Sequence, residues 1–135
     1  MFSKNAARKG QQIAEILLLA AHLTSAEVKD IIDMPSGAVI DDIYPVLDET
    51  FDPTASAVIE FGTADDTNKF VASQNIFTGQ ALGGRAGDVT GRGYRFAAAG
   101  AITAKYTSGG GVATQGKIRC IVEYHMENHA DFIQH

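Results

Sequence analysis

The chain has 135 residues, of which 45% are hydrophobic and 20% are charged, a composition that indicates one globular domain and excludes a disordered chain. The formal net charge of −5 argues against nucleic acid as a partner, because phosphate binding needs a concentrated basic surface. The single cysteine, Cys120, has no second cysteine to pair with, so the fold does not require an oxidising compartment. We expect a soluble protein that is synthesised in a cytoplasm.

The first long apolar run extends from Ile13 to Leu23 (IAEILLLAAHL). It is shorter than the roughly 20 apolar residues of a membrane span, Glu15 and His22 interrupt it, and no signal-peptide cleavage pattern follows it. We therefore predict that it belongs to the protein core and that no membrane is a partner. Its residues are good helix formers. It is also apolar nearly all round, so a helix and a buried strand fit Gln11 to Leu23 equally well.

Turn-forming residues recur at short intervals along the rest of the chain and separate short runs rich in valine, isoleucine, phenylalanine and tyrosine. This spacing is typical of an all-β sandwich or barrel and leaves little room for crossover helices. We predict strands over Val39 to Leu47 and Ala57 to Phe61, on either side of a turn at Asp52-Pro53. Since proline cannot donate a hydrogen bond to a neighbouring strand, Pro45 should lie at a sheet edge or a bulge.

The clearest strand pattern is at Lys117 to Tyr124, where apolar side chains alternate with charged ones, except at Ile121. The segment from Ala101 to Thr107 alternates in the same way. A glycine-rich loop joins the two, which predicts a hairpin with a long loop. We assign residues 11–125 to one β-sandwich domain, and residues 126–135 to a polar C-terminal tail.

Two segments have the composition of contact regions. Residues 79–93 contain six glycines together with charged side chains, and they lack the strand-to-helix context and downstream acid of a dinucleotide site. Residues 1–10 carry the basic cluster of the chain and are predicted to form a flexible arm. We predict that both segments order against a partner protein, with contact residues Lys4, Arg8, Lys9, Arg85, Asp88 and Arg92.

The motifs for catalysis and cofactor binding are incomplete. Gly111 to Lys117 matches most of a phosphate-binding P-loop, but Ile118 stands where serine or threonine must bind magnesium, and a strand follows where a helix must start. Cys120 lies on the core side of its strand, where we expect a small buried hydrophobic residue. No serine, threonine or cysteine has a local catalytic signature. We predict no catalytic residue, no cofactor and no enzymatic activity.

The candidate metal ligands are equally incomplete. Asp48 to Glu60 spaces acidic residues loosely like a calcium-binding loop, but Pro53 occupies the position where that loop needs glycine. The adjacent acids Asp65-Asp66 fit a solvated turn better than a cation site. His125 and His129 are four residues apart and have no third ligand nearby. We therefore predict no metal site.

Four segments together resemble a sequence pattern of small virion proteins from tailed bacteriophages. They are Met34 to Tyr44 (MPSGAVIDDIY), Asp48 to Asp52 (DETFD), Ala57 to Asp66 (AVIEFGTADD) and Cys120 to Tyr124 (CIVEY). The resemblance spans residues 26–124, and each segment also has a reading as ordinary β-turn chemistry. It implies an antiparallel, jelly-roll-like β-sandwich with an N-terminal extension and a short C-terminal tail. It also favours an extended conformation for Gln11 to Leu23, paired with Ala26 to Asp33.

The same resemblance implies a head decoration (cement) protein. Such a protein is made in the host cytoplasm, binds the major capsid protein on the capsid surface of the virion, and often forms a homotrimer. Residues 1–10 and 79–93 are then hypothesised to make the main intermolecular contacts. Two alternatives stay open: a tail, collar or fibre-base component, and a ligand- or carbohydrate-binding β-sandwich module. The absence of tryptophan weakens the last alternative.

Overall fold

A computed structural model describes residues 11–53, 55–77 and 92–126, and its regular structure is almost entirely β-strand. The predicted basic arm, residues 79–91 of the glycine-rich loop, and residues 127–135 of the tail lie outside these residues. One 3-10 turn occupies Ala20–His22. The strands are β1 (Gln12–Leu19), β2 (Val28–Met34), β3 (Ala38–Glu49), β4 (Ser56–Gly62), β5 (Val71–Asn75), β6 (Gly100–Gly109) and β7 (Lys117–Met126).

The strands form two antiparallel sheets. The order is β1-β7-β3 in the first sheet and β2-β6-β4-β5 in the second, and a hydrophobic core lies between them. The predicted β-sandwich is therefore confirmed. Pro45 of β3 lies opposite Cys120 of β7. Within the described ranges no strand pairs with the other edge of β3 at that point, as expected for a proline.

The pairing scheme is nested in the manner of a jelly roll. β1 pairs with β7, β2 pairs with β6, and β4 pairs with β5. A short segment at residues 93–96 lies beside β3, where the Ile40 amide donates to the Tyr94 carbonyl oxygen over 2.9 Å and the Phe96 amide donates to that of Ala38 over 2.8 Å. With this segment in the place of an eighth strand, each sheet has four members, as in a double-sheet jelly roll.

Gln11 to Leu23, whose sequence fits a helix and a strand equally well, is a strand over Gln12–Leu19. The resemblance-based expectation of an extended conformation is correct for β1, but the expected pairing with residues 26–33 is wrong. β1 pairs with β7 and β2 pairs with β6, in different sheets. The reason is the turn at residues 20–27, where the Ala26 amide donates to the Tyr106 carbonyl oxygen over 2.7 Å. This bond commits the chain to the second sheet before β2 begins.

The predicted hairpin between β6 and β7 is also wrong, although both strands are present. β6 lies in the second sheet and β7 in the first, so residues 110–116 cross the end of the sandwich. Phe51 closes this end and is 1% exposed. Gly116 has φ of +148°, and a Cβ there would lie 2.4 Å from Cγ of the Phe51 ring. Only glycine allows the loop to cross so close to the ring.

Two acidic side chains, at the end of β3 and in the connection that follows β3, hold residues 110–116 in place through hydrogen bonds. Asp52 accepts hydrogen bonds from the Thr114 amide over 2.6 Å and from the Gln115 amide over 2.9 Å, and the Thr114 hydroxyl also donates to it. Glu49 accepts one from the Gly116 amide over 3.1 Å. We refer to residues 49–52 and 110–116 as the clasp end of the sandwich.

The opposite end is formed by residues 62–66 and 94–101, which we refer to as the open end. β7 starts at the clasp end and finishes beside Ala38, next to the segment that pairs with β3. An aromatic cluster packs here, with the ring centroids of Tyr94 and Phe96 5.0 Å apart and Phe70 beside both. The core between the two ends is apolar, and its largest fully buried side chains include Phe51, Phe61, Phe70, Met34, Ile40 and Ile43.

Candidate protein-contact surface

The outer face of the first sheet carries exposed apolar side chains on its first strand. Leu18 of β1 points into the core and is 2% exposed, whereas Ile13 and Leu17 point outward and are 66% and 46% exposed. Successive side chains of a strand point to opposite faces, and the solvent face of an antiparallel sheet is usually polar. The outward side of β1 therefore has the character of a surface that is covered by another molecule. We refer to Ile13, Glu15, Leu17 and their neighbours on β7 as the β1 surface.

Charged and apolar side chains alternate across this surface. Ile13 lies opposite Glu123, Glu15 opposite Ile121, and Leu17 opposite Arg119. Each apolar side chain of this surface therefore has a charged residue opposite it on the neighbouring strand.

The charges on the β1 surface are paired within it. The Arg119 guanidinium donates to Asp48 through Nε over 2.8 Å and through Nη2 over 3.1 Å, and its Nη1 lies 3.6 Å from Glu15 Oε2. These hydrogen bonds, chiefly those to Asp48, raise the pKa of the guanidinium above its ordinary value. Because Arg119 is already engaged, it offers little to a phosphate backbone. The apolar side chains that this surface exposes are those of Ile13 and Leu17.

The backbone edge of β1 adds a second feature to the same surface. β1 pairs with β7 on one side, and none of the described strands pairs with its other side. An unpaired edge presents a row of amide and carbonyl groups that a strand from another chain can use. Apolar side chains and an unpaired edge therefore occur together on one element.

Of the contact residues predicted from the sequence, only Arg92 lies within the described residues. Its Nε lies 3.3 Å from Oδ1 of Asp42, and its side chain is 59% exposed. Lys4, Arg8, Lys9, Arg85 and Asp88 lie outside the described ranges. Ile13 and Leu17 are not among the contact residues predicted from the sequence, because the whole apolar run from Ile13 to Leu23 has the composition of a core segment. The available signal was that a strand in a two-layer protein can bury only one of its faces.

Two potentially reactive side chains among the described residues, those of Cys120 and His125, belong to β7. Cys120 is fully buried, and burial raises the pKa of its thiol well above the ordinary value. The Nδ1 atom of His125 lies 2.8 Å from Oδ1 of Asp41. β7 begins at Lys117, the last residue of the P-loop-like sequence, so a strand and not a helix follows that sequence.

The described ranges contain neither a metal-binding cluster nor a membrane-spanning helix. They contain no group of three or more histidine, cysteine, aspartate or glutamate side chains arranged to hold a metal ion. No helix in the same ranges is long and apolar enough to cross a membrane.

Comparison with known proteins gives a shared fold. No protein-family model matches the chain, and no curated protein matches its sequence. A chain of the cyanophage Pam1 capsid asymmetric unit matches with a TM-score of 0.71 and 14% sequence identity, over 86% of this chain and 84% of that one. A chain of the acid-stable capsid of Helicobacter pylori bacteriophage KHP30 matches with a TM-score of 0.65 and 13% identity, over 87% and 89%. The likeness extends over nearly the whole of each chain.

Proposed function

We propose that this chain is a structural protein of a bacteriophage virion, namely a decoration (cement) protein that binds the lattice of the major capsid protein on the outer surface of the head. The observation that carries the proposal is the likeness in fold to chains of two phage capsid structures. In each comparison the likeness covers most of this chain and most of the matched chain. A sandwich of this kind hosts many functions, so the proposal also rests on the β1 surface.

The β1 surface has the properties that a lattice-binding protein needs. When Ile13 and Leu17 are buried against a partner protein, apolar surface area is removed from water. The Arg119 charge is not left unpaired by this burial, because Arg119 keeps its ion pairs with Asp48 and Glu15. The rigid sheet behind them limits the entropy that is lost on binding. Many equivalent contacts around a closed shell then add up to a strong hold, even where each contact is weak.

The first test is the presence of the chain in virions. We expect mass spectrometry of purified particles of the phage that encodes it to find the chain in a fixed ratio to the major capsid protein. We further expect heads that lack the chain to bind it from solution. Its absence from particles would remove the virion assignment altogether.

The second test asks whether the β1 surface makes the contact. The double variant Ile13→Ser, Leu17→Ser should lose most of its occupancy on heads, while its thermal unfolding stays close to that of the native chain because both side chains are exposed. Val28→Ser is the matched control, since Val28 is 41% exposed on an edge strand of the other sheet and should bind normally. Equal occupancy for both proteins would remove the β1 surface from the proposal.

The contact segments proposed from the sequence are tested separately. Deleting residues 1–10, or replacing residues 79–91 with a short glycine-serine linker, should lower occupancy if these segments order against the capsid. A loss only in these deletions, with normal binding of the β1-surface variant, would place the contact in the segments. A homotrimer is the expected assembly, and light scattering after size exclusion measures it directly.

A further inference from the structure

A cavity of about 390 Å³ lies at the open end, on the second sheet and away from the β1 surface. It is open to solvent, and it is lined by the start of β6, the turn that follows β4, the segment before β6 and Asp30 of β2. Most of its wall is apolar and is formed by small side chains and two aromatic rings, namely Ala97, Ala98, Ala99, Ala101, Tyr94 and Phe96. A wall of this kind favours a methylene chain over a hydrated ion.

One polar side chain lines this cavity without a partner. Thr103 is 1% exposed, and no described residue forms a hydrogen bond with its Oγ1 atom. It lies on β6 between Asp30 of β2 and Gly62 of β4 in the pairing register. A buried hydroxyl without a hydrogen bond is costly. Thr103 lines the cavity, so an occupant that reaches this oxygen would supply the missing hydrogen-bond donor.

Two carboxylates line the same cavity. Asp30 and Asp65 are exposed, and within the described part of the chain neither side chain takes part in a hydrogen bond or ion pair. A cation bound in the cavity would donate charge-assisted hydrogen bonds to these two carboxylates. The acids and the hydroxyl together call for an occupant with a positive charge and several donor hydrogens.

We infer that this cavity binds the end of a lysine or arginine side chain presented by a partner protein. The aliphatic stem packs along the alanine wall, and the ammonium or guanidinium group donates to Asp30, Asp65 and the Thr103 hydroxyl. Charge-assisted hydrogen bonds of this type are among the strong ones in proteins. A divalent cation fits less well because calcium takes six to eight oxygen ligands, and the described residues offer no cluster of three ligating side chains.

The inference rests on the proposed function only for the identity of the partner, which would be a basic side chain of the capsid lattice. The binding chemistry is tested on the isolated full-length chain. The probe is n-butylammonium chloride, which matches the end of a lysine side chain, and the amide signals of Asp30, Asp65 and Thr103 are followed by NMR at constant ionic strength. We expect saturable shifts at these amides. The uncharged probe n-butanol should shift them much less.

Variants assign the binding to the carboxylates. The double variant Asp30→Asn, Asp65→Asn should weaken n-butylammonium binding by roughly tenfold or more, as expected for loss of charge-assisted hydrogen bonds. Asp33→Asn is the matched control, because Asp33 is an exposed acid on the same strand that does not line this cavity, and it should bind the probe normally.

Four outcomes would overturn the inference. They are the absence of saturable shifts, equal shifts with n-butanol, equal weakening in Asp33→Asn, and stronger shifts with calcium chloride than with n-butylammonium. A fifth outcome would be a shift of the same amides, without any probe, in the variant Lys4→Gln, Arg8→Gln, Lys9→Gln. That result would assign the cavity to the chain's own basic segment and not to a partner. If the chain proves absent from virions, the probe titration still decides whether the cavity binds a basic group.

Discussion

The polar groups at the two ends of the sandwich differ in whether they have hydrogen-bond partners among the described residues. At the clasp end, Asp52 and Glu49 accept hydrogen bonds from the loop that crosses between the sheets, so acids and amides satisfy each other within the chain. At the open end, Asp30, Asp65 and the buried Thr103 hydroxyl line a cavity and have no partners among the described residues. The acids of the clasp end therefore stabilise the fold, whereas those of the open end are the groups that we propose for binding a basic side chain.

A second buried hydroxyl, that of Tyr106, lies at the clasp end. The Tyr106 ring packs against Phe51 with centroids 5.4 Å apart, and the Ser108 side chain is close to its hydroxyl. Burial raises the pKa of this hydroxyl above its ordinary value. The Thr103 hydroxyl differs from it, because Thr103 lines a cavity together with two carboxylates.

The largest expected effect comes from crowding the clasp end. Gly116→Ala places a Cβ against the Phe51 ring at a φ that side chains rarely adopt. We expect the free energy of unfolding to fall by about 2–5 kcal/mol, combining backbone strain with overpacking. Urea denaturation measures this change.

The matched control lies on the other side of the molecule. Gly93→Ala at the open end also has positive φ, but the new Cβ meets no atom within 4 Å. It should cost only about 1 kcal/mol, from backbone strain alone. Equal losses for the two variants would mean that the Phe51 contact contributes nothing to the difference between the ends.

The next expected effect is on the pH dependence of stability, and it tests the hydrogen bonds that Asp52 accepts at the clasp end. Hydrogen bonds from the Thr114 hydroxyl and the Gln115 amide lower the pKa of Asp52 below its ordinary value of 3.8. Because the folded-state pKa is the lower one, the stabilisation is complete above the ordinary value and is lost as the pH falls through the folded-state value. Asp52→Asn should therefore be less stable than the native chain at neutral pH, and the two should converge in acid.

Urea midpoints across this pH range measure the convergence. Asp33→Asn, which changes an exposed acid on β2, should follow the native curve throughout. A constant difference between Asp52→Asn and the native chain at every pH would show that the Asp52 carboxylate charge does not fasten the loop.

The smallest expected effect has the opposite sign. Thr103→Val removes a buried hydroxyl without a partner, so the free energy of unfolding should stay the same or rise by up to about 1 kcal/mol. Tyr106→Phe should behave alike in thermal unfolding, but only Thr103→Val should weaken n-butylammonium binding. A loss of stability above about 1 kcal/mol in Thr103→Val would show that the hydroxyl has a partner in the folded chain.

The sequence predicted the faces of the strands better than their neighbours. The alternation of Ile118, Cys120 and Val122 correctly identified a strand with one buried side, because side-chain direction has a period of two. It could not identify β1 and β3 as the neighbours of β7, because pairing depends on where connections cross between sheets. The Gly116 crossing is an example, since a glycine-rich loop serves a hairpin and a sheet-to-sheet crossing equally well.

The cavity was beyond prediction for a related reason. Asp30, Asp65 and Thr103 belong to three separate parts of the chain. The register places Thr103 between Asp30 and Gly62, and Asp65 lies in the turn that follows Gly62. The pair Asp65-Asp66 was interpreted from its local turn alone, which gave no reason to associate it with Asp30. Ile13 and Leu17 differ from these residues, because their exposure follows from the two-layer architecture once β1 is known to be a strand.

The central position of β7 has a consequence for synthesis. β7 lies between β1 and β3, so the first sheet has no middle strand until residues 117–126 have left the ribosome. Until then, the apolar side chains of β1 and β3 have no sheet to join, and contacts of such large sequence separation form slowly. A stalled or truncated chain should therefore be a target for chaperones and proteases. Completion of β7 would be the step that commits the chain to its native state.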